Sequence, residues 1–255
     1  MTLIVAFNCV DGAVIAADSM LTVSNGGIAT GHHHARKVHI LPDNHVFAFA
    51  GDQGQADRFR IMAAGGTNHA LQVPHPLDYG LLLTENIIKQ FRATGIDAVG
   101  VDSVIAFPCD GSVSCCAFIG MLQPWLLDQD HFFIALGSGK QMADPFLRFL
   151  LDIFSPTQPS VREAVFLATW TLQHTINTNP GGVAGPIRMV ILEHSPIGFS
   201  ARELSADEIG DQQQAIADAE AKLRDWRSVI SGTKVIDESQ GSAAPAPPPA
   251  MPATP

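Results

Sequence analysis

Two Asp-Gly dipeptides, at 11–12 and 110–111, constrain the fold of this chain most, because each lies between two short apolar runs. Asp-Gly in that setting is typical of a tight β-hairpin turn. The Pro-Asp-Asn segment at 42–44 has the same flanks and indicates a third hairpin. The predicted strands are the apolar runs beside these turns, at 2–9, 13–17, 37–41, 45–50, 103–108 and 112–119. The sequence therefore predicts antiparallel sheets that start at the second residue.

Apolar residues at helical spacing follow the strands in pairs of segments. We expect helices at 52–64, 78–92, 141–154, 161–178 and 205–226, the last one opened by a Ser205–Glu208 capping box. Further strands are expected at 131–136, 187–193 and 198–203, and a polar, glycine-rich loop at 24–34. This order predicts an α+β fold, a four-layer αββα sandwich with two antiparallel sheets between helix layers. One domain, 1–231, precedes a flexible Pro/Ala-rich tail, 232–255.

Composition excludes several classes of function. The chain has 255 residues and a net charge of -10, and its 15 basic residues form no stripe, which argues against nucleic-acid binding. No apolar run is long enough to span a membrane, and the N-terminus does not read as a signal peptide. The four cysteines lack metal-ligand spacing, and adjacent Cys115 and Cys116 should point to opposite faces of a strand. We interpret them as reduced core thiols of a cytoplasmic protein without a cofactor.

Thr2 could act as a nucleophile if Met1 is removed, as often happens before a small residue. The free α-amine, with an ordinary pKa of about 7.7 to 8.0, then lies beside the threonine hydroxyl and can accept its proton near neutral pH. One residue would supply both nucleophile and base. For an arbitrary protein, however, a threonine here is simply a good strand former.

The surrounding pattern resembles the β-type subunits of the proteasome family, which are N-terminal-nucleophile hydrolases. The pattern comprises a leading threonine, an "AADS" strand end, a basic pair before a strand and an "AG" before a helix; here these are Thr2, 16–19, 36–37 and 50–51. The resemblance covers Thr2 to about residue 208. In outline the chain is closest to bacterial proteasome homologues, such as Anbu or the betaproteobacterial proteasome homologue.

The resemblance implies catalytic roles for five residues. Thr2 would attack the scissile carbonyl, with Lys37 close to its hydroxyl and Asp18 holding Lys37. The backbone N–H of Gly51 would stabilise the oxyanion, and Ser138 in "LGSGK" would support the Thr2 amine. Taken singly, the four residues other than Thr2 also have ordinary interpretations: a strand-end carboxylate, a solvated lysine, a strand-to-helix glycine and a tight turn.

The resemblance also implies substrate-binding residues. Thr22 and the segment 49–51, with Phe49 and Ala50, would pair with an extended peptide as an added strand. The bulky Phe49 would narrow the pocket for the residue before the cut. Because glycine lacks a side chain, Gly51 would let the substrate approach closely.

The chain departs from the family pattern at three positions. Asn177 and Pro180 stand where the family has a site aspartate and a serine, so activity could be weak or differently tuned. Met20 replaces a commonly basic residue. The run 32–34, three histidines, is expected on a mobile loop near the site entrance, because three consecutive imidazoles do not easily face one metal ion.

Three hypotheses therefore stay open. The first is a threonine endopeptidase in stacked homo-oligomeric rings, which acts on peptides or unfolded proteins and is served by an ATP-dependent unfoldase. The second is a weak or inactive ring subunit, and the third is an amidase that acts on a small molecule. The set Thr2, Asp18, Lys37 and Gly51 favours the first, whereas Asn177 and Pro180 keep the second open.

Overall fold

The computed structural model describes residues 2–25, 28–70, 72–96, 100–120, 122–179, 182–196 and 198–232. Contacts divide the chain into two compact units, one up to Gln214 and one from Ala215 onward. In the described part the strands are β1 Ile4–Cys9, β2 Gly12–Ala17, β3 Met20–Asn25, β4 Ile28–His34, β5 Val38–Leu41, β6 His45–Gly51, β7 Val101–Cys109, β8 Ser112–Ile119, β9 Gln123–Leu127, β10 Phe133–Leu136, β11 Arg188–Ser195 and β12 Gly198–Glu203. The α-helices are α1 Gln53–Gly65, α2 Pro76–Arg92, α3 Lys140–Phe154, α4 Val161–Thr178, α5 Ala206–Asp225 and α6 Arg227–Ile230.

Two five-stranded sheets form the centre of the first unit. One has the order β10-β1-β2-β11-β12 and the other β5-β6-β7-β8-β9, and neighbouring strands in both are antiparallel. Helices α3 and α4 cover the first sheet, and α1 and α2 cover the second. The three predicted hairpins are present, with Asp110 and Gly111 both at positive φ as a tight turn requires. These elements confirm the predicted four-layer α+β fold.

Alternation along the strands separates two hydrophobic clusters. Small and β-branched residues, such as Ala48 and Val104, face the other sheet, whereas aromatic residues, such as Phe47 and Phe107, face helices α1 and α2. Cys115 belongs to the cluster between the sheets and Cys116 to the cluster under the helices. Both thiols are buried, and their opposite orientations confirm the sequence prediction.

Two elements of the structure differ from the prediction. The segment expected as a loop forms the hairpin β3–β4, in which Thr22 pairs with His32. The two strands form a separate two-stranded sheet through backbone pairing. The run 32–34 therefore lies on a strand with exposed side chains, and not on a mobile loop.

Strand β9 was not predicted. It contains Pro124, which lacks a backbone N–H and argues against a central strand. The structure places β9 at the edge of its sheet, where one side of the strand needs no ladder hydrogen bonds. Tertiary position, rather than local propensity, permits this strand.

The predicted capping box at the start of α5 is present. The Glu208 carboxylate accepts from the Ser205 N–H at 2.8 Å, and the Ser205 hydroxyl accepts from the Glu208 N–H at 3.2 Å. The second unit begins at Ala215 within this helix, and its described part ends after α6. Among the described residues, no helix combines the length and apolarity needed to cross a bilayer. The domain boundary at 231 stays a prediction, and the tail from 233 lies outside the described residues.

Candidate active site

The backbone around Thr2 is fixed although strand β1 begins two residues later, at Ile4. The Thr2 N–H donates to the Ser138 hydroxyl at 3.2 Å, and the Thr2 carbonyl accepts from the Gly139 N–H at 3.0 Å. The next residue, Leu3, donates to the Asp18 carboxylate at 2.9 Å. Thr2 is 9% exposed, so the segment that carries the candidate nucleophile is both anchored and nearly buried.

Asp18 joins this N-terminal segment to Lys37. Its Oδ1 accepts from the Lys37 ammonium at 2.7 Å and from the Leu3 N–H, and its Oδ2 accepts from the Met20 N–H at 2.9 Å. The ammonium also donates to the Met20 carbonyl. Since both Met20 contacts use the backbone, the loss of a basic side chain at this position leaves them intact. The predicted approach of Lys37 to the Thr2 hydroxyl stays a prediction.

The Asp18–Lys37 ion pair is fully buried, with side chains 0% and 1% exposed. Burial lowers the pKa of the Lys37 ammonium, because the charged form loses hydration. The charge of Asp18 and its hydrogen bond oppose that fall. A buried charge without a partner is costly, so the two side chains depend on each other.

Two glycines allow close backbone contacts at the site. Gly137 has φ +86°, and a Cβ atom there would collide with the Thr2 carbonyl. Gly51 has φ +123°, and a Cβ atom there would collide with the Gly100 carbonyl oxygen. Helix α1 begins directly afterwards, with Asp52 as its N-cap. Both glycines are therefore required by backbone geometry at the points where the predicted site residues lie.

A cavity of about 490 Å³ opens at this cluster. The chain segments that meet there are the segment before β1, strands β3, β6 and β7, and the turn between β10 and α3 with the first residue of α3. The lining residues are Thr2, Leu21, Thr22, Ala50, Gly51, Gly100, Val101, Asp102, Gly137, Ser138 and Lys140. Five of the site residues predicted from the sequence thus line one cavity: Thr2, Thr22, Ala50, Gly51 and Ser138. Asp18 and Lys37 lie behind it in the protein interior.

Phe49 is not among the residues that line this cavity, in contrast to the sequence prediction. Its side chain is 2% exposed and belongs to the aromatic cluster between the second sheet and helices α1 and α2. Its ring stacks on His39, with centroids 6.2 Å apart. The reason is strand alternation: Ala50 faces the sheet interior and the cavity, so its neighbour Phe49 must face the helices.

We expect Phe49→Ala to lower the free energy of unfolding by about 3–5 kcal/mol, because it leaves a cavity in this aromatic cluster. Denaturant unfolding followed by circular dichroism measures the change. Ile61→Ala is the control, since Ile61 is 62% exposed on α1 and its loss should change stability by about 0.5 kcal/mol or less. Equal stability of Phe49→Ala and the wild type would contradict the core position of this ring.

The remaining predicted residues lie at or outside the cavity rim. Thr22 lines the cavity, and its hydroxyl lies 3.4 Å from the Nδ1 of His32 on the paired strand. Asn177 is exposed in the last turn of α4 and is not a lining residue. Pro180 and Met1 lie outside the described residues. Within the described chain, no group of three or more metal-ligating side chains is placed to hold an ion.

Sequence reasoning missed two charged residues of the cavity, Asp102 and Lys140. Lys140 follows the Gly-Ser-Gly motif directly, so its proximity to Ser138 was visible in the sequence. Asp102 reaches the cavity because β7 pairs with β6, where Ala50 is opposite Asp102. No local signal marks that pairing.

Solved structures of Anbu share this four-layer sandwich. A structure of an Anbu (Gly-1) mutant from Hyphomicrobium sp. strain MC1 matches with a TM-score of 0.65 and 18% identity, and the match covers 93% of this chain and 100% of that one. Another Anbu structure from that strain gives 0.64 and 17%, over 92% and 99%.

Anbu (ancestral beta-subunit) from Yersinia bercovieri matches with a TM-score of 0.62 and 15% identity, over 87% of this chain and 96% of that one. No protein-family model matches the sequence, and no curated protein matches it either. At these identities the similarity establishes the fold alone, an Anbu-like four-layer sandwich. The chemistry must be argued from the site itself.

Proposed function

We propose that this chain is a threonine-type endopeptidase that uses Thr2 as nucleophile after removal of Met1. The observation that carries the proposal is the Asp18 carboxylate, which binds the backbone next to Thr2 and the buried Lys37 ammonium with the same oxygen. A purely structural role would not require a buried cation at this position, because apolar residues of similar volume are often as stabilising.

The proposed reaction has two stages. The α-amine of Thr2 takes the hydroxyl proton while Oγ attacks the scissile carbonyl, and the N–H of Gly51 stabilises the oxyanion. The resulting ammonium gives its proton to the leaving amine as the C–N bond breaks, which leaves an ester on Thr2. Water then attacks this ester, again with the amine as base, and the acid product is released.

Ser138 and Lys37 would assist the amine. The hydroxyl of Ser138 already accepts from the Thr2 nitrogen, and in the free amine this contact would orient the lone pair toward Oγ. The positive charge of Lys37 would keep the pKa of the amine low enough for it to act as a base near neutral pH. Thr22 and Ala50, at the cavity, would pair with an extended substrate.

We further propose that the chain assembles into homo-oligomeric rings, on the basis of the fold it shares with Anbu. Such rings would restrict access to peptides and unfolded proteins in the cytoplasm, and an ATP-dependent unfoldase would supply them. The buried, reduced thiols are consistent with that compartment.

The mass of the N-terminal peptide tests the proposed nucleophile. We expect untagged protein to lack Met1 and, after treatment with a β-lactone that acylates N-terminal threonine, to carry one adduct on Thr2. Denatured protein is the control and should not react, since its amine and hydroxyl are no longer positioned. Retained Met1, or a free Thr2 that does not react, would overturn the proposal and favour an inactive ring subunit.

Exposed Asn177, outside the cavity lining, keeps that second function relevant. A small-molecule amidase is the third candidate, and it would react with the lactone as well. Comparing the hydrolysis of peptides with that of simple amides separates it from a peptidase.

A further inference from the structure

Lys140 and Asp102 are charged residues of the cavity that the proposed reaction does not use. Lys140 is exposed and is the first residue of α3, and Asp102 is half-buried on β7. Among the described residues, neither side chain forms an ion pair of 4 Å or less. In the part of the chain that the structure describes, two opposite charges therefore line one cavity and neither has an ion-pair partner.

Proton transfer defines which part of a substrate would lie near Lys140. The group that protonates the leaving nitrogen must lie within hydrogen-bond reach of it. In the proposed reaction that group is the Thr2 amine, and its nitrogen contacts Ser138, two residues before Lys140. The leaving half of the substrate is therefore directed toward the 137–140 turn. Asp102 lies on the side of the cavity away from the leaving half of the substrate, because it pairs with Ala50, next to the proposed oxyanion donor Gly51.

The position of Lys140 favours an anionic ligand. A cation at the first position of a helix is unfavourable for the helix dipole, which is already positive there. The N-cap, Gly139, supplies no side-chain acceptor to offset it. The backbone of Lys140 is held in the turn, since its N–H donates to the Gly137 carbonyl at 3.2 Å. The positive charge of Lys140 and the positive end of the α3 dipole thus add to a positive potential at the cavity wall beside Ser138.

We infer that Lys140 is a specificity residue that binds a carboxylate on the leaving-group side of the scissile bond. The carboxylate belongs either to an acidic side chain after the cut or to the C-terminus of a short substrate. This inference rests on the proposed function, because it takes its direction from the Thr2 amine.

Matched peptides test it. One series is acetylated and amidated and carries Glu, Gln or Lys after the cut; a further Gln peptide ends in a free carboxylate two residues after the cut. Products are identified by mass, and kcat/KM is compared within each enzyme, so that a general loss of activity cancels. We expect the wild type to prefer Glu over Gln by about tenfold, which corresponds to about 1.4 kcal/mol. A preference for the free carboxylate instead identifies the C-terminus as the source.

Three variants complete the test. Lys140→Ala should remove the preference and Lys140→Glu should reverse it toward the Lys peptide, whereas Lys140→Arg should retain it. Lys89→Ala, which removes an exposed lysine on α2 outside the cavity, should leave the ratio unchanged. If the enzyme is active but the Glu/Gln ratio of kcat/KM is the same in the wild type and the Lys140 variants, the inference is wrong and the proposed peptidase function still stands. A wild type that neither cleaves the peptides nor takes the lactone on Thr2 overturns both.

Discussion

We expect Thr2→Ala to lower peptide cleavage by at least about a thousandfold, because it deletes the proposed nucleophile and leaves the rest of the site. Alanine is also small enough for Met1 to be removed, so the α-amine and its contact with Ser138 should persist. The fold should persist too, since the hydrogen bonds of Thr2 with Ser138 and Gly139 use its backbone N–H and carbonyl. Initial rates on a quenched fluorescent peptide measure the loss.

Thr2→Ser is the matched variant. It keeps a hydroxyl and an amine on the same residue, and we expect it to retain measurable cleavage and lactone acylation. Thermal unfolding of both variants establishes that they fold. Cleavage by Thr2→Ala at the wild-type rate would exclude Thr2 as the nucleophile and would require a different group in the cavity.

The second large effect concerns the buried ion pair. We expect Asp18→Ala to lower the free energy of unfolding by about 3–5 kcal/mol, because it leaves the buried Lys37 charge without its carboxylate partner. The N–H groups of Leu3 and Met20 lose their acceptor as well. Cleavage should fall with it, since the N-terminal segment loses its anchor. Urea unfolding and peptide assays measure the two losses.

Lys37→Met is the informative partner variant. It leaves Asp18 charged, but with both backbone donors still in place, so we expect a smaller loss of stability than in Asp18→Ala. The double variant Asp18→Ala, Lys37→Met should be more stable than the sum of the two single losses predicts, because it removes both charges together. Strict additivity would contradict a direct coupling between these side chains.

The pH dependence of Asp18→Ala follows from the pKa of Lys37. Burial lowers this pKa, and loss of the Asp18 charge removes the interaction that opposes the fall. Between the lowered folded pKa and the ordinary lysine value, the unfolded chain binds more protons, so stability rises with pH. The lower folded pKa of the variant widens that range. The stability deficit of Asp18→Ala should therefore shrink as pH rises toward the ordinary lysine pKa.

The sequence by itself determined the layered fold. Turn dipeptides such as Asp110-Gly111 specify hairpins through local backbone conformation, and apolar spacing separates strands from helices. The residues around Thr2 could be predicted for a different reason, since their pattern resembles a known family. Asp18 and Lys37 are buried, unlike ordinary solvated charges, and the contact between them agrees with the expected pairing.

Only the tertiary structure decided the shape and charge of the cavity. Phe49 points away from it because strand alternation and pairing, rather than residue size, assign each side chain to a face. Asp102 reaches it through the register of β7 with β6, which depends on contacts between residues about fifty positions apart. Strand β9, with Pro124, exists because it lies at a sheet edge. Local propensity predicts none of these features, since each depends on which distant segment of the chain packs next to the residue.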